Sequence, residues 1–158
     1  GTIRDVVLGR VPNSIVDPTY VVVTIASGIV IFFLYSHLKK HWNLFLKFDA
    51  IGLGVFTIIG ATFAYNIFGL NFLAILLAGI LTAVGGGILR DVFVNQSPIV
   101  FIKEFYLSAS FIGIVIFSII LYFTDEIYYA TIIGIILTTS LRLIGIKYNW
   151  NLPRARES

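Results

Sequence analysis

Forty consecutive residues of this chain, from Ala50 to Leu89, carry no formal charge. A helix needs only about 20 apolar residues to cross the hydrocarbon core of a bilayer, so this run is long enough for two crossings. The segment 66–71, which reads Asn-Ile-Phe-Gly-Leu-Asn, supplies a turn signal near its middle. The run therefore predicts two membrane-spanning helices joined by a tight turn.

The composition extends this prediction to the whole chain. Hydrophobic residues make up 58% of it, charged residues 12%, and the mean hydropathy is +0.98. Soluble domains average about 45–50% apolar and about 25% charged residues, so the chain is predicted to be an all-α integral membrane protein. Apolar segments are expected at 1–9, 18–36, 50–65, 70–94, 105–123 and 127–146, the first being only the end of a helix.

A six-residue motif occurs twice. Residues 1–6 read Gly-Thr-Ile-Arg-Asp-Val and residues 87–92 read Gly-Ile-Leu-Arg-Asp-Val, an offset of 86 residues that also relates Tyr20 to Tyr106. With three helices per copy, an odd number, the second copy enters the membrane from the opposite side. The predicted architecture is an inverted repeat of three helices plus a seventh helix, with the first helix and the start of the second lying before residue 1.

The chain is accordingly divided into five parts. These are the remainder of the first repeat (1–36), a basic interfacial linker (37–48), the second repeat (49–124), the seventh helix (125–147) and a tail (148–158). The linker and the tail are basic, whereas the turn at 125–126 is acidic. The positive-inside rule therefore places the C-terminus in the cytoplasm of a multi-pass cell-membrane protein, with Lys39, Lys40 and Lys47 against anionic lipid.

Three successive glycines, Gly85, Gly86 and Gly87, lie well inside the fourth apolar segment, and Gly1 is the counterpart of Gly87 in the first copy. Each glycine costs a helix roughly 1 kcal/mol relative to alanine in water. The favoured interpretation is a kinked or broken helix whose freed carbonyls face a cavity and attract a cation. The alternative is a glycine patch for close helix packing.

The two motif copies place Arg4, Asp5, Arg90 and Asp91 within the membrane region. Neighbouring residues on one helix point about 100° apart, so each of these charges is expected to pair elsewhere. The repeat symmetry suggests Arg4 with Asp91 and Asp5 with Arg90, the alternative being that both arginines snorkel toward the helix ends. Arg142, about one turn from the cytoplasmic boundary, is expected to be an interfacial anchor.

Several classes of function find no support in these residues. There is no cysteine, no catalytic triad, no paired-carboxylate site and no nucleotide-binding glycine fingerprint, so no enzyme activity, catalytic residue or cofactor is predicted. His37 and His41 have the spacing of a metal pair, but lysines lie between them, and no metal site is predicted. The basic residues lie in connections and in the tail, so no nucleic-acid partner is predicted.

The doubled motif, together with the ending 141–153 (Leu-Arg-Leu … Lys-Tyr-Asn-Trp-Asn-Leu-Pro), resembles prokaryotic members of the trimeric intracellular cation (TRIC) channel family. The resemblance implies seven transmembrane helices, a homotrimer, and one pore per protomer that passes monovalent cations, chiefly K⁺. It also implies that the glycine-containing helices at Gly1 and Gly85–Gly87 form the pore. Bacterial relatives are also described as glycine transporters, so a carrier remains the alternative to a channel, with a non-conducting scaffold third.

Overall fold

The structure, a computed structural model, describes residues 1–40, 42–93 and 105–148. Every secondary-structure element in these ranges is a helix. The helices are α1 (Thr2–Val7), α2 (Asn13–Val16), α3 (Thr19–Lys40), α4 (Trp42–Phe68), α5 (Phe72–Phe93), α6 (Phe105–Thr124) and α7 (Ile127–Lys147).

The helices α4 and α5 form the hairpin that the uncharged run predicts. Gly69 takes a positive φ of 61° between them, a conformation that glycine adopts without steric cost. The Asn71 side chain accepts a hydrogen bond from the Ala74 N–H at 3.2 Å, which caps the start of α5. The two helices pack closely along their length because Gly60 of α4 lies against the Ala78 carbonyl and Thr82 of α5.

The helices α6 and α7 complete a core with α4 and α5. Its fully buried apolar residues include Ile58, Ile75, Ile114 and Phe117. Glycines allow the close approach of helices here too, since Gly113 of α6 lies against Thr138 of α7, and Gly134 of α7 against Ile58 of α4. Association in lipid depends on this kind of packing, because lipid tails are as apolar as the side chains they replace.

Four of the described helices are long and apolar enough to cross a membrane. The spans are Leu46–Phe68, Phe72–Leu89, Phe105–Thr124 and Ile127–Lys147, and α3 contributes a shorter apolar stretch, Thr19–Val30. The predicted all-α integral membrane protein is confirmed. The inverted symmetry of the two repeats stays a prediction.

The segment predicted as an interfacial linker is helical wherever the structure describes it. The helix α3 continues to Lys40, and α4 begins at Trp42, so residues 42–48 belong to the same helix as the membrane span that follows. Lys47 is exposed on the first turns of α4, whereas the side chains of Lys39 and Lys40 lie outside the described part.

The glycine triplet does not interrupt its helix. Within the described residues 72–93, α5 is α-helical throughout, including Gly85, Gly86 and Gly87. The expected break, with carbonyls freed to face a cavity, is therefore wrong for this structure. An unpaired backbone group in lipid costs several kcal/mol, more than the roughly 1 kcal/mol by which a glycine weakens a helix, so the backbone bonds are kept.

Candidate functional site

A cavity of about 1010 Å³ runs along one face of α4 and is also bounded by residues of α1, α3 and α5. On α4 its lining residues recur at helical spacing: Asp49, Gly52, Leu53, Phe56, Ile59 and Phe63. Asp49 and Phe63 are 14 residues apart, which is about 21 Å at 1.5 Å per residue. The cavity thus extends along about two-thirds of a hydrocarbon core about 30 Å thick.

Most of the glycines predicted to form the site line this cavity. Gly1, Gly86 and Gly87 are among its lining residues. A β-carbon added to Gly86 or Gly87 would meet nothing within 4 Å, apart from its own helix, whereas one added to Gly85 would contact the Ile3 side chain at 3.6 Å. Gly86 and Gly87 therefore leave open space in the cavity wall, and Gly85 faces α1.

The two copies of the doubled motif lie next to each other. The helix α1 packs against α5, with Ile3 of the first copy opposite Gly85, two residues before the second copy begins. The backbone of Arg90 and Asp91 is helical, but their side chains lie outside the described part of the chain. The reciprocal pairs Arg4 with Asp91 and Asp5 with Arg90 therefore stay a prediction.

Arg4 and Asp5, both lining the cavity, form an ion pair with each other. The Arg4 guanidinium donates from Nε and Nη2 to Asp5 Oδ1, at 2.8 and 2.6 Å. The backbone N–H of Asn13 donates to Asp5 Oδ2 at 3.2 Å. The expectation that these neighbours cannot pair is wrong, because the arginine side chain is long enough to fold back over the adjacent carboxylate.

This ion pair is buried rather than extended toward water. Arg4 is 5% exposed and Asp5 1%, and the Arg4 guanidinium stacks on the Phe63 ring with its carbon 3.7 Å from the ring centroid. Snorkelling of Arg4 to the helix end is therefore excluded. A cation–π contact of a desolvated guanidinium is worth about 2 kcal/mol or more, which adds to the charge pairing in fixing Arg4.

Arg142 is a second buried cation, and the prediction that it is an interfacial anchor is wrong. It is 2% exposed, and its guanidinium lies over the Tyr106 ring at 4.7 Å from the centroid. Its Nε and Nη2 are buried without a hydrogen-bond partner. Tyr106 lines the cavity, so Arg142 lies directly behind its wall.

The sequence did contain a signal for this burial. Arg142 continues a series of mostly small buried residues on α7, spaced by three or four: Ala130, Gly134, Thr138, Arg142 and Gly145. A series at that spacing marks one face of a helix, and small residues mark the face that packs. The position of Arg142 on this face predicts its burial better than its distance from the end of the helix does.

Two buried hydroxyl groups on these helices bond to their own backbones, whereas Ser118 Oγ and Thr139 Oγ1 are buried without a hydrogen-bond partner. Thr57 donates to the Leu53 carbonyl at 2.6 Å and Thr138 to the Gly134 carbonyl at 2.8 Å. The Thr57 hydroxyl also lies 3.0 Å from that of Ser110, which joins α4 to α6. These groups hold the bundle together, whereas Thr24 and Thr82 line the cavity.

Solved structures of TRIC channels share this architecture. A solved structure described as the structural basis for conductance through TRIC cation channels superposes on this chain with a TM-score of 0.89 at 30% identity. The match covers 100% of this chain and 78% of that one. The chain belongs to the TRIC family. The TRIC trimeric intracellular cation channel orthologue from Rhodobacter sphaeroides gives a TM-score of 0.87 at 30% identity, over 95% of this chain and 77% of that one.

Sequence comparisons place the same TRIC-family chain among bacterial membrane proteins. A family model described as glycine transporter matches residues 1–36 and 46–122. The UPF0126 inner membrane protein YadS of Escherichia coli K12 is 34% identical over 97% of this chain and 75% of YadS. The UPF0126 membrane protein YvgT of Bacillus subtilis 168 is 31% identical over 97% of this chain and 75% of YvgT.

Proposed function

We propose that this chain forms a channel for monovalent cations, chiefly K⁺, and that the cations pass through the large cavity along α4. The observation that carries the proposal is the length of that cavity, about 21 Å along α4, in a bundle that matches TRIC cation channels at TM-scores of 0.80 to 0.89. Gly86 and Gly87 keep its wall open because neither has a side chain.

The lining suits a weakly held monovalent cation. Uncharged oxygens are provided by Thr2, Ser14, Thr24 and Thr82, and Asp49 adds a carboxylate. Conduction requires binding that is weak enough for the ion to leave again. Because Asp5 is paired with Arg4, it does not act as a strong free anionic site, and the pathway works without a cofactor.

The assembly and orientation are part of the same proposal. The Rhodobacter sphaeroides orthologue is described as trimeric, and we extend that state to this chain as a homotrimer with one pathway per protomer. The C-terminus lies in the cytoplasm because the basic connections of the chain lie at that side. Lys39, Lys40 and Lys47 then contact anionic lipid headgroups there, with no role in catalysis or nucleic-acid binding.

A carrier for a small zwitterion such as glycine is the alternative function. The description of the matching family model as glycine transporter favours it. A carrier has one site that is closed to each side in turn and therefore saturates with substrate, whereas a channel has a continuous wet path with weak sites. The buried Arg4–Asp5 pair would then lie beside the substrate.

Flux measurements on the full-length protein in sealed liposomes separate the two functions. Under an imposed membrane potential, a channel gives rapid K⁺ flux that is unaffected by external glycine. A carrier gives saturable uptake of labelled glycine and no comparable K⁺ flux. The second result would overturn the channel and support the carrier, and the absence of both fluxes would overturn both.

A further inference from the structure

A second, smaller cavity lies next to the pathway. Its volume is about 370 Å³, and it is lined by Gly9, Arg10, Val11, Asn13 and Phe63. Asn13 and Phe63 also line the large cavity, so these two residues form the wall that the cavities share. The smaller cavity lies at the end of the bundle where α1 meets α2, near the C-terminal end of α4.

The Phe63 ring in this wall has an arginine from each cavity beside it. Arg4 lines the large cavity and lies 3.7 Å from the ring centroid, whereas Arg10 lines the small one and lies 5.8 Å away. Guanidinium groups within about 6 Å of an aromatic ring face are attracted to it. Two such contacts hold the half-buried ring in the wall instead of leaving it free to rotate.

The arginine nearer the ring is itself fixed. Asp5 accepts two hydrogen bonds from Arg4, at 2.8 and 2.6 Å, and a third from the backbone N–H of Asn13, the other residue of the shared wall. The backbone N–H of Arg10 donates to the Asp5 carbonyl at 2.8 Å. The motif residues Arg4 and Asp5 therefore tie both sides of the wall to α1.

We infer that Phe63, held by Arg4 and Arg10, is the gate residue that closes the cation pathway between the large and the small cavity. An apolar ring at a constriction stops ions because water, and with it the hydrated ion, leaves the narrow segment. Arg10 beside the ring adds positive charge, which further opposes a cation, whereas the charge of Arg4 is balanced by Asp5. This inference rests on the proposed function for the identity of the ion. The position of the gate is inferred from the wall that the two cavities share.

Replacing the ring tests the gate directly. In the full-length protein in liposomes, Phe63→Ala is expected to raise K⁺ flux severalfold and to admit a larger organic cation such as tetramethylammonium. Phe68→Ala is the matched control, because Phe68 lies on the same helix, is exposed and lines neither cavity. A Phe63→Ala flux equal to that of Phe68→Ala would overturn the inference.

A second variant keeps the test valid if Phe63→Ala does not fold. Phe63→Trp enlarges the ring and is expected to lower K⁺ flux below that of the unmodified protein, with tetramethylammonium still excluded. Unchanged or increased flux would overturn the gate. A complete lack of flux in the unmodified protein would instead count against the proposed channel.

Cysteine accessibility tests the wall without relying on ion flux. The chain has no cysteine, so Val11→Cys in the small cavity and Thr24→Cys in the large one can each be introduced alone. A membrane-impermeant thiol reagent applied only from the small-cavity side should label Val11→Cys rapidly and Thr24→Cys slowly. Adding Phe63→Ala should accelerate the labelling of Thr24→Cys and leave that of Val11→Cys unchanged. Equal labelling rates without Phe63→Ala would overturn the wall.

Discussion

At the scale of single residues, the most consequential feature is the pair of arginines inside the bundle. Arg4 is matched by Asp5, whereas Arg142 lies on Tyr106 with two nitrogens lacking hydrogen bonds. Ionised groups within the membrane are costly and mark functional sites. Both arginines belong to the surroundings of one cavity, Arg4 lining it and Arg142 lying behind it.

Asp5→Asn should destabilise the protein strongly. The change removes the negative charge from a pair that is 5% and 1% exposed, and removing one partner of a buried ion pair costs roughly 3–5 kcal/mol. The measurement is the free energy of unfolding by denaturant in detergent. Glu126→Gln is the control, because Glu126 is exposed at the start of α7 and makes no side-chain cap there; equal losses in the two variants would contradict the pairing.

Arg142 and Tyr106 should be energetically coupled. A double-mutant cycle with Arg142→Met and Tyr106→Leu measures that coupling free of the effects that each change has alone. For a buried guanidinium stacked on an aromatic ring, the expected coupling is about 0.5–2 kcal/mol. An interfacial anchor would instead give additive changes in unfolding free energy, so a coupling near zero would contradict the buried stack.

At the scale of helices, glycines in this chain have two distinct uses. Gly60 allows α4 and α5 to touch: an added β-carbon would lie 2.6 Å from Thr82 Oγ1 and 2.8 Å from Thr82 Cβ. Gly86 has open space beside it and lines the cavity. From the sequence, packing and pore formation are alternatives for one glycine cluster, whereas in the structure close helix packing occurs at Gly60 and Gly86 lines the cavity.

Alanine substitutions separate these uses. Gly60→Ala should lower the free energy of unfolding by about 1–3 kcal/mol, because overpacking forces the helices apart. Gly86→Ala should be neutral or stabilise by up to about 1 kcal/mol, since alanine favours the helix and its methyl group meets nothing. Denaturant unfolding of both variants is the measurement, and a larger loss at Gly86 would show that α5 needs a glycine there for its shape.

At the scale of the whole molecule, the sequence predicts the class of fold well because that class depends on long apolar runs. The uncharged residues 50–89 and the turn at Gly69 predict the α4–α5 hairpin directly. The doubled motif points to the cavity lined by Gly1, Arg4, Asp5, Gly86 and Gly87. These features depend on length, spacing and composition.

Contacts between helices were less predictable. The Arg4–Asp5 pair depends on Phe63 of another helix, 59 positions after Arg4, lying beneath the guanidinium. The uninterrupted α5 depends on backbone bonding in lipid outweighing glycine propensity. The burial of Arg142 depends on which face of α7 meets α4 and α6. Each of these outcomes is set by packing partners that are distant in the sequence.

A side chain placed in the cavity along α4 tests whether that cavity is the cation pathway. Gly86→Leu puts four carbons into open space in the cavity, whereas Gly28→Leu puts the same group into open space on α3 at a residue that does not line the cavity. Potential-driven K⁺ flux into liposomes should be abolished by Gly86→Leu and retained with Gly28→Leu. Unreduced flux in a correctly folded Gly86→Leu protein would show that the cations do not pass through this cavity.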